Sequence, residues 1–234
     1  IGKISTDELG HSYKTSLIKE NVTFYSTNES DDTPTGTCLI LITPDYERTM
    51  CTFLGISGTI SPDDIYDDII QDTDIIFLEG YLWDDGDAKT AFNKTLRLAN
   101  KSAMSLSDIF CVERHKSSFL DLVKHHLDIT FANEQEIMTL IDAKSFKDVI
   151  DFGKTLNNLL VITRGEKGSV AIYKSDIFTC ESQKHLNIVD LTGAGDLFAA
   201  GFLHGYINEM SLDKSLAKGT ELASTIIQKY GARI

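Results

Sequence analysis

The residues most able to do chemistry form a short stretch of small and acidic side chains, DLTGAGD, at residues 190–196. It follows an apolar, strand-like segment and opens a pattern that predicts a helix over residues 195–209. Small residues let a ligand approach the backbone closely, and the first turn of a helix presents unpaired N–H groups with a partial positive charge. These features predict an anion site that suits a phosphate group.

A carboxylate at the start of that helix, Asp196, is oddly placed for anion binding alone, because it repels phosphate. A general base beside an anion site resolves the difficulty. The carboxylate would accept a hydroxyl proton while the amides of Ala194, Gly195 and Asp196 hold the developing negative charge. The simpler alternative is a helix cap with a glycine turn, and spacing alone does not separate the two, because short glycine motifs are weak signals.

A second pair of polar residues, Asn133 and Glu136, follows a strand pattern at residues 128–131. Three residues apart, they lie on one face of a helix. An amide and a carboxylate suit a hydrated Mg²⁺, which keeps most of its water ligands. The equally weighted alternative is a capping pair, in which Asn133 is the N-cap and Glu136 completes a capping box.

A glycine-punctuated segment, TRGEKG at residues 163–168, follows the apolar strand pattern of residues 159–163. Thr163, Gly165 and Gly168 are residues typical of a tight turn between strands. The turn would lie at the carboxyl end of a strand, which is where open α/β sheets bind ligands.

The elements that would position these residues alternate between strands and helices from residue 61 onward. Strand patterns lie at residues 74–80, 103–106, 128–131 and 159–163, with two more short strands within 169–182. Helical patterns lie at residues 61–71, 86–100, 117–127, 134–141, 145–157, 195–209 and 212–230. This alternation predicts an α/β fold with a mostly parallel sheet flanked by helices.

The N-terminal part of the chain has a different pattern. After a predicted helix at residues 7–20, three β-branched or aromatic segments at 22–26, 37–43 and 48–54 are separated by turn residues. These segments predict a small β-rich region within about residues 20–56.

Composition narrows the classes of function. The formal net charge is −13, so the surface would repel nucleic-acid phosphates and anionic membranes. No apolar run approaches the roughly 18 residues that a membrane span needs. Four scattered cysteines and six histidines show no metal-binding spacing, which argues against a zinc site or a disulfide framework. We expect a cytoplasmic protein that binds neither nucleic acid nor membrane.

The stretch DLTGAGDLFAAGFLHGY at residues 190–206 resembles the C-terminal signature of the PfkB carbohydrate kinases, also called the ribokinase family. Other segments resemble family motifs in the right order. They are a lid-strand region at 34–36 and 47–50, an Asn-x-x-Glu motif at 133–136, and an ATP-phosphate-binding strand and turn at 161–168. The resemblance covers nearly the whole chain and looks most like the adenosine-kinase-like branch and uncharacterised sugar kinases.

The resemblance implies a ribokinase-like kinase domain over residues 1–234, with a small β-rich lid. It implies in-line transfer of a phosphoryl group from ATP to a hydroxymethyl group of ribose, adenosine or a related sugar. Asp196 would be the base and contact the acceptor, and Arg48 would contact the acceptor or a phosphate. The remaining implied residues are Gly193, Ala194 and Gly195 at the anion site, Asn133 and Glu136 with Mg²⁺, and Thr163, Gly165, Gly168, Asp190 and Thr192 with ATP. The resemblance also allows for a monovalent cation such as K⁺ and for a homodimer through the lid.

Two departures from the family pattern matter. Leu191 stands where the family more often has Thr, and the family's N-terminal strands, Gly-Gly substrate loop and early acidic residue are missing from this sequence. We therefore expect an N-terminally incomplete kinase with little activity by itself. The alternative is a nucleotide-binding, catalytically inactive fragment. A dinucleotide-binding oxidoreductase is disfavoured, because the glycine motif lies near the C-terminus and no suitably spaced acidic residue follows a βαβ pattern.

Overall fold

The structure, a computed structural model, describes residues 1–26, 32–44, 48–83 and 86–234. Contacts divide the chain into two units. The first contains Ile1–Leu41, Thr49–Ile76 and Leu82–Asn100, and the second contains Ile42–Arg48, Phe77–Tyr81 and Lys101–Ile234. The assignment of residues 1–234 to one incomplete kinase domain, with a lid-like region within about residues 20–56, stays a prediction.

The first unit contains three α-helices and most of a small sheet. The helices are α1 (Glu8–Lys19), α2 (Asp67–Gln71) and α3 (Asp87–Leu98), and the strands β1 (Thr37–Ile42) and β2 (Arg48–Phe53) pair in a two-stranded sheet. At the start of α1, the Asp7 carboxylate accepts hydrogen bonds from the amides of Gly10 and Thr35, both at 2.8 Å. This carboxylate ties the first helix to the segment that precedes β1.

Of the three strands predicted in the β-rich region, two are confirmed and one is wrong. β1 and β2 match the segments at 37–43 and 48–54, but residues 22–26 form no strand. The Gly2 amide donates to the Tyr25 carbonyl at 3.1 Å, and within the described residues no ladder extends from this bond. β-branched composition does not make a strand without a partner to pack against. Residues 27–31 and 45–47, which include Glu47 of the lid-like motif, lie outside the described residues.

The helix predicted over residues 61–71 is interrupted. A 3₁₀ turn at Pro62–Asp64 is followed by extended backbone at Ile65 and Tyr66, and α2 begins only at Asp67. The Lys94 ammonium donates to the carbonyls of Pro62 and Ile65, at 3.0 and 2.8 Å. The lysine thus satisfies carbonyl groups that a continuous helix would pair with its own amides.

The second unit is built on a six-stranded sheet in the order β3-β4-β5-β6-β7-β8. Its strands are β3 (Ile76–Glu79), β4 (Ser102–Ser105), β5 (Ile129–Asn133), β6 (Leu159–Thr163), β7 (Ser169–Tyr173) and β8 (Asp176–Cys180). The predicted α/β fold is confirmed, and the sheet is mixed, because β4, β5 and β6 run parallel whereas β7 is antiparallel to both of its neighbours.

Within the described part of the chain, five α-helices accompany this sheet: α4 (Ile109–His125), which is kinked at His115, α5 (Glu134–Leu140), α6 (Phe146–Gly153), α7 (Ala194–Ile207) and α8 (Leu212–Ile226). α4 begins earlier than the pattern predicted, because the Asp108 carboxylate caps it by accepting the Cys111 amide at 2.6 Å. In the part of the chain that the structure describes, no helix is long and apolar enough to cross a membrane.

Glycines let α7 and α8 pack closely. A Cβ at Gly201 would lie 2.7 Å from the Lys218 carbonyl oxygen, and one at Gly219 would lie 2.7 Å from that of Phe198. Phe202 of α7 meets Phe131 of β5 edge to face, with ring centroids 5.5 Å apart. These contacts fix α7 on the sheet and therefore fix the position of its N-terminus.

Candidate active site

The N-terminus of α7 has the geometry of an anion site. Gly193 is the N-cap with φ +78°, a left-handed conformation that favours glycine, and its carbonyl accepts the Leu197 amide at 2.9 Å. A Cβ built on Gly195 would have no atom within 4 Å, so the space in front of this amide is open. Ala194, Gly195 and Asp196 form the first turn of the helix. The Ala194 amide donates to the Leu191 carbonyl at 3.3 Å, and the amides of Gly195 and Asp196 are available to an anion.

The Asp196 carboxylate is exposed on that turn. Among the described residues, no hydrogen bond or ion pair engages it, although its charge acts on Glu79. A side chain that capped the helix would accept a backbone amide, and α7 has no side-chain cap. The geometry therefore favours a carboxylate that is free to act on a ligand.

Buried Asp190 anchors the loop that leads into α7. Its carboxylate is 1% exposed and accepts the amides of Thr192 at 2.8 Å and Gly231 at 2.9 Å. Burial by itself would raise the pKa of Asp190, but the contacts with Thr192 and Gly231 and the charge of Arg48 lower it below its usual value. Arg48 is thereby placed near the loop that precedes α7.

The segment before this loop is not the strand that its apolar pattern suggested. Residues 183–190 have no regular structure, and the amide of Val189 donates to the Ile227 carbonyl, at the end of α8, at 2.8 Å. Beside Asp190, the Thr192 hydroxyl is buried and has no hydrogen-bond partner within the described parts of the chain. A buried hydroxyl of this kind is one that a ligand or a water would satisfy.

Asn133 and Glu136 form a capping box at the start of α5. The Asn133 amide and side-chain Nδ2 donate to the two Glu136 carboxylate oxygens at 2.8 and 2.7 Å, and the Glu136 amide donates to Asn133 Oδ1 at 2.8 Å. The pKa of Glu136 is raised to about 7, mainly by burial and also by the Asp108 charge, while the backbone hydrogen bond from Asn133 opposes the rise. A carboxylate has about four lone-pair sites, so the capping role leaves room for a ligand.

Glu79, the last residue of β3, was not predicted as a site residue from the sequence. Burial, followed by the charges of Asp196 and Glu136, raises its pKa to about 7. The charges of Glu136 on α5 and of Asp196 on α7 therefore both act on Glu79 at the end of β3. The signal in the sequence was a lone carboxylate ending the apolar run Ile75–Leu78, but its neighbours depend on the tertiary fold.

The glycine turn after β6 is closed by backbone hydrogen bonds. The Arg164 amide donates to the Gly168 carbonyl at 2.8 Å, and the Gly168 amide donates to the Gly165 carbonyl at 3.0 Å. Gly168 has φ +83° and a Cβ there would lie 2.0 Å from the Cys180 carbonyl oxygen, whereas Gly165, at φ +55°, faces open space. Thr163 pairs in register with Asn133 on the parallel strand β5, so the turn and the capping box lie at the same sheet edge.

The side chains that could coordinate a metal ion suit Mg²⁺ bound together with a nucleotide better than a metal ion held only by protein ligands. In the described residues, no group of three or more His, Cys, Asp and Glu side chains could hold a metal ion. Mg²⁺ usually keeps several waters and is bound through one or two carboxylates and substrate phosphates. Glu136, with the side-chain amide of Asn133 beside it, is a carboxylate that fits such a site.

Glu79 gives a prediction about stability. Its folded-state pKa of about 7 exceeds the ordinary 4.5, so the folded chain binds more protons than the unfolded chain between these values. The stabilisation is fully present below about pH 4.5 and is lost as the pH rises through 7. We expect Glu79→Gln to raise Tm at pH 8 and to flatten the fall in Tm between about pH 4.5 and pH 7. The control is Glu113→Gln, at an exposed position. If the fall in Tm with pH were the same in Glu79→Gln as in this control, the raised pKa of Glu79 would be contradicted.

Comparison with solved structures defines the class of fold. Adenosine kinase from Sinorhizobium meliloti matches with a TM-score of 0.95 and 35% identity, over 100% of this chain and 73% of that chain. A probable sugar kinase from Rhizobium etli CFN 42 matches with a TM-score of 0.93 and 34% identity, over 99% and 72%. The second unit's sheet and helices thus belong to a ribokinase-like α/β fold.

Sequence comparison then gives the family. The model of the pfkB family carbohydrate kinases matches residues 1–234, and the chain belongs to this family of sugar and nucleoside kinases. An uncharacterized sugar kinase from Archaeoglobus fulgidus is 25% identical over 237 residues, which is 100% of this chain and 92% of that protein. The resemblance based on the signature at residues 190–206 is confirmed.

Proposed function

We propose that the protein transfers the γ-phosphoryl group of ATP to a hydroxymethyl group of a nucleoside or sugar. The observation that carries the proposal is the first turn of α7, where the open amide of Gly195 lies beside the unengaged carboxylate of Asp196. An anion site next to a base is what transfer to a hydroxyl group requires. Family membership supports ATP as the phosphoryl donor.

Each residue of the anion site has a distinct role in this proposal. Asp196 contacts the acceptor hydroxyl and accepts its proton as the oxygen attacks phosphorus. The amides after Gly193, those of Ala194, Gly195 and Asp196, donate to the oxygens of the transferring group and stabilise their charge. Arg48, which lies close enough to affect Asp190, would contact a phosphate or the acceptor.

The remaining loops would hold the nucleotide. Thr163, Gly165 and Gly168 form the turn that contacts the ATP phosphates through its backbone, and Asp190 and Thr192 shape the loop before α7. Asn133 and Glu136 organise Mg²⁺, which neutralises phosphate charge when bound. The buried Thr192 hydroxyl and the ionised Asp190 beside it would also suit a monovalent cation such as K⁺.

Adenosine is the first acceptor to test, because an adenosine kinase is among the most similar solved structures. Ribose and fructose follow, since sugar kinases are also similar. ADP release should require protein, Mg²⁺ and one acceptor together. ATP binding without acceptor-dependent ADP release would favour the alternative, a nucleotide-binding chain without turnover.

The lid strands suggest a further partner. Exposed apolar side chains follow both strands of the small sheet, at Leu39, Leu41, Met50 and Phe53. An isolated two-stranded sheet is only marginally stable in water. A homodimer through these strands is therefore part of the proposal, and it would be visible as a doubled mass in light scattering.

Glu136→Gln separates a magnesium role from a purely capping role. We expect the Mg²⁺ concentration for half-maximal activity to rise about fivefold, because the substitution removes a charged oxygen ligand. The matched control is Asp148→Asn, which alters the same kind of capping box, with Ser145, at the start of α6. Both variants should lose some stability, but only Glu136→Gln should shift the Mg²⁺ curve. Equal curves would mean that Glu136 only caps α5.

A further inference from the structure

The guanidinium group of Arg164 contacts the carboxylate of Glu134 and the ring of Phe146. Its Nε and Nη2 donate to the two carboxylate oxygens of Glu134 at 3.0 and 3.2 Å. Its flat face lies over the Phe146 ring, with Cζ 3.5 Å from the ring centroid. The Arg164 and Glu134 side chains are only 19% and 20% exposed, so this two-pronged ion pair is partly shielded from water.

This pair joins two loops that lie far apart in sequence. Glu134 is the first residue of α5 and directly follows Asn133, while Arg164 opens the glycine turn after β6. Because Asn133 and Thr163 are partners on parallel strands, both loops leave the same sheet edge. The Arg164–Glu134 pair links them just beyond the last backbone pairing of the two strands.

The positive charge of Arg164 is neutralised by its ion pair with Glu134. The side-chain hydrogen bond from Arg164 is the main cause that lowers the pKa of Glu134, opposed by burial and assisted by the Arg164 and Lys167 charges. Lys167 approaches both Glu134 oxygens at 3.4 Å, but its side chain is 65% exposed. Arg164 is therefore poorly placed to pair with a phosphate, although it lies in the glycine turn.

We infer that Arg164 is a positioning residue, which fixes the glycine turn relative to the start of α5 through Glu134. The turn that contacts ATP phosphates and the Asn133–Glu136 pair would then keep a constant spacing, and loss of either ionic partner would release both loops. The link to nucleotide binding rests on the proposed function, whereas the link between the loops does not.

The test is a double-substitution cycle with two readouts on the 234-residue chain. The variants are Glu134→Gln, Arg164→Gln and the combination, with Lys147→Gln as control because Lys147 forms an exposed ion pair with Asp151 on α6. Hydrogen exchange at residues 164–168 is measured without nucleotide, and Kd for Mg·ATP is measured by calorimetry. We expect each single variant to speed exchange of the turn amides and to raise Kd, both by about fivefold, with no change in the control.

The effect of the combination should be clearly smaller than the sum of the two single effects, because both substitutions remove the shared ion pair, whereas the stacking on Phe146 is lost only with Arg164. Arg164→Lys should behave like Arg164→Gln, since an ammonium group keeps the charge but loses the two-pronged contact and the stacking. Additive effects, unchanged exchange, or full recovery with lysine would each overturn the inference. If the wild-type chain does not bind Mg·ATP, the proposed function fails, and exchange alone decides whether the pair couples the loops.

Discussion

In the intact enzyme, replacing Asp196 by Asn should lower kcat by at least about 10²-fold, which is the usual contribution of a general base. The carboxylate is exposed, lies on the first turn of α7 and has no hydrogen-bond partner in the described residues. An amide of the same shape cannot take the hydroxyl proton. Binding of ATP should be unchanged or slightly tighter, because the substitution removes a negative charge that faces the phosphate groups.

The matched control for this prediction is Asp213→Asn. Asp213 is the acidic residue in the first turn of α8, so the same substitution removes the same favourable interaction with a helix dipole. Tm should fall by a similar small amount in both variants, while kcat should fall only at position 196. Near wild-type kcat in Asp196→Asn would mean that this carboxylate serves the helix and not the reaction.

Replacing Gly195 by Ala should weaken Mg·ATP binding by at least about tenfold, or about 1.4 kcal/mol, without loss of stability. A Cβ at this position meets no protein atom within 4 Å and would occupy the space in front of the anion-binding amides. Alanine is also the better helix former by up to about 1 kcal/mol, so Tm should stay constant or rise.

The opposite result is expected for Gly201, which lies on the same helix and packs against α8. Gly201→Ala on the same helix places a Cβ 2.7 Å from the Lys218 carbonyl oxygen, so it should lower Tm and leave the nucleotide affinity of the folded protein unchanged. Gly195→Ala with normal Mg·ATP affinity would show that phosphate does not approach this turn. Comparing the two variants therefore shows whether Gly195 is needed for the approach of a ligand and Gly201 for helix packing.

Much of the fold and part of the candidate site could be predicted from residue spacing within single segments. Asn133 and Glu136 have the spacing of a capping box, and the structure contains that box with both of its hydrogen-bond sets. The pattern of strands and helices after residue 61 predicted the α/β fold, because hydrophobic periodicity is a local signal. The small residues of the 190–196 stretch predicted a turn that a ligand can approach, and the space at Gly195 is open, whereas the close helix packing at Gly201 was not predicted.

Other features depended on contacts that no local pattern contains. The acidic neighbourhood of Glu79 arises because the end of β3 lies near the first turns of α5 and α7, which reasoning from single segments does not reveal. The interruption before α2 depends on Lys94, which lies 29 residues after Ile65. Residues 22–26 have strand-like composition but no neighbouring strand in the described chain, so their composition was misleading.

The most direct test of the account is a proton-coupled ³¹P NMR spectrum of the intact enzyme with ATP, Mg²⁺ and adenosine, repeated with ribose and fructose. Transfer to a hydroxymethyl group predicts loss of the γ-phosphorus signal, formation of ADP and a new phosphomonoester signal split into a triplet by the two CH₂ protons. The triplet should be absent without acceptor and with Asp196→Asn. Inorganic phosphate as the only new signal, or a doublet from a secondary alcohol ester, would contradict the proposed reaction.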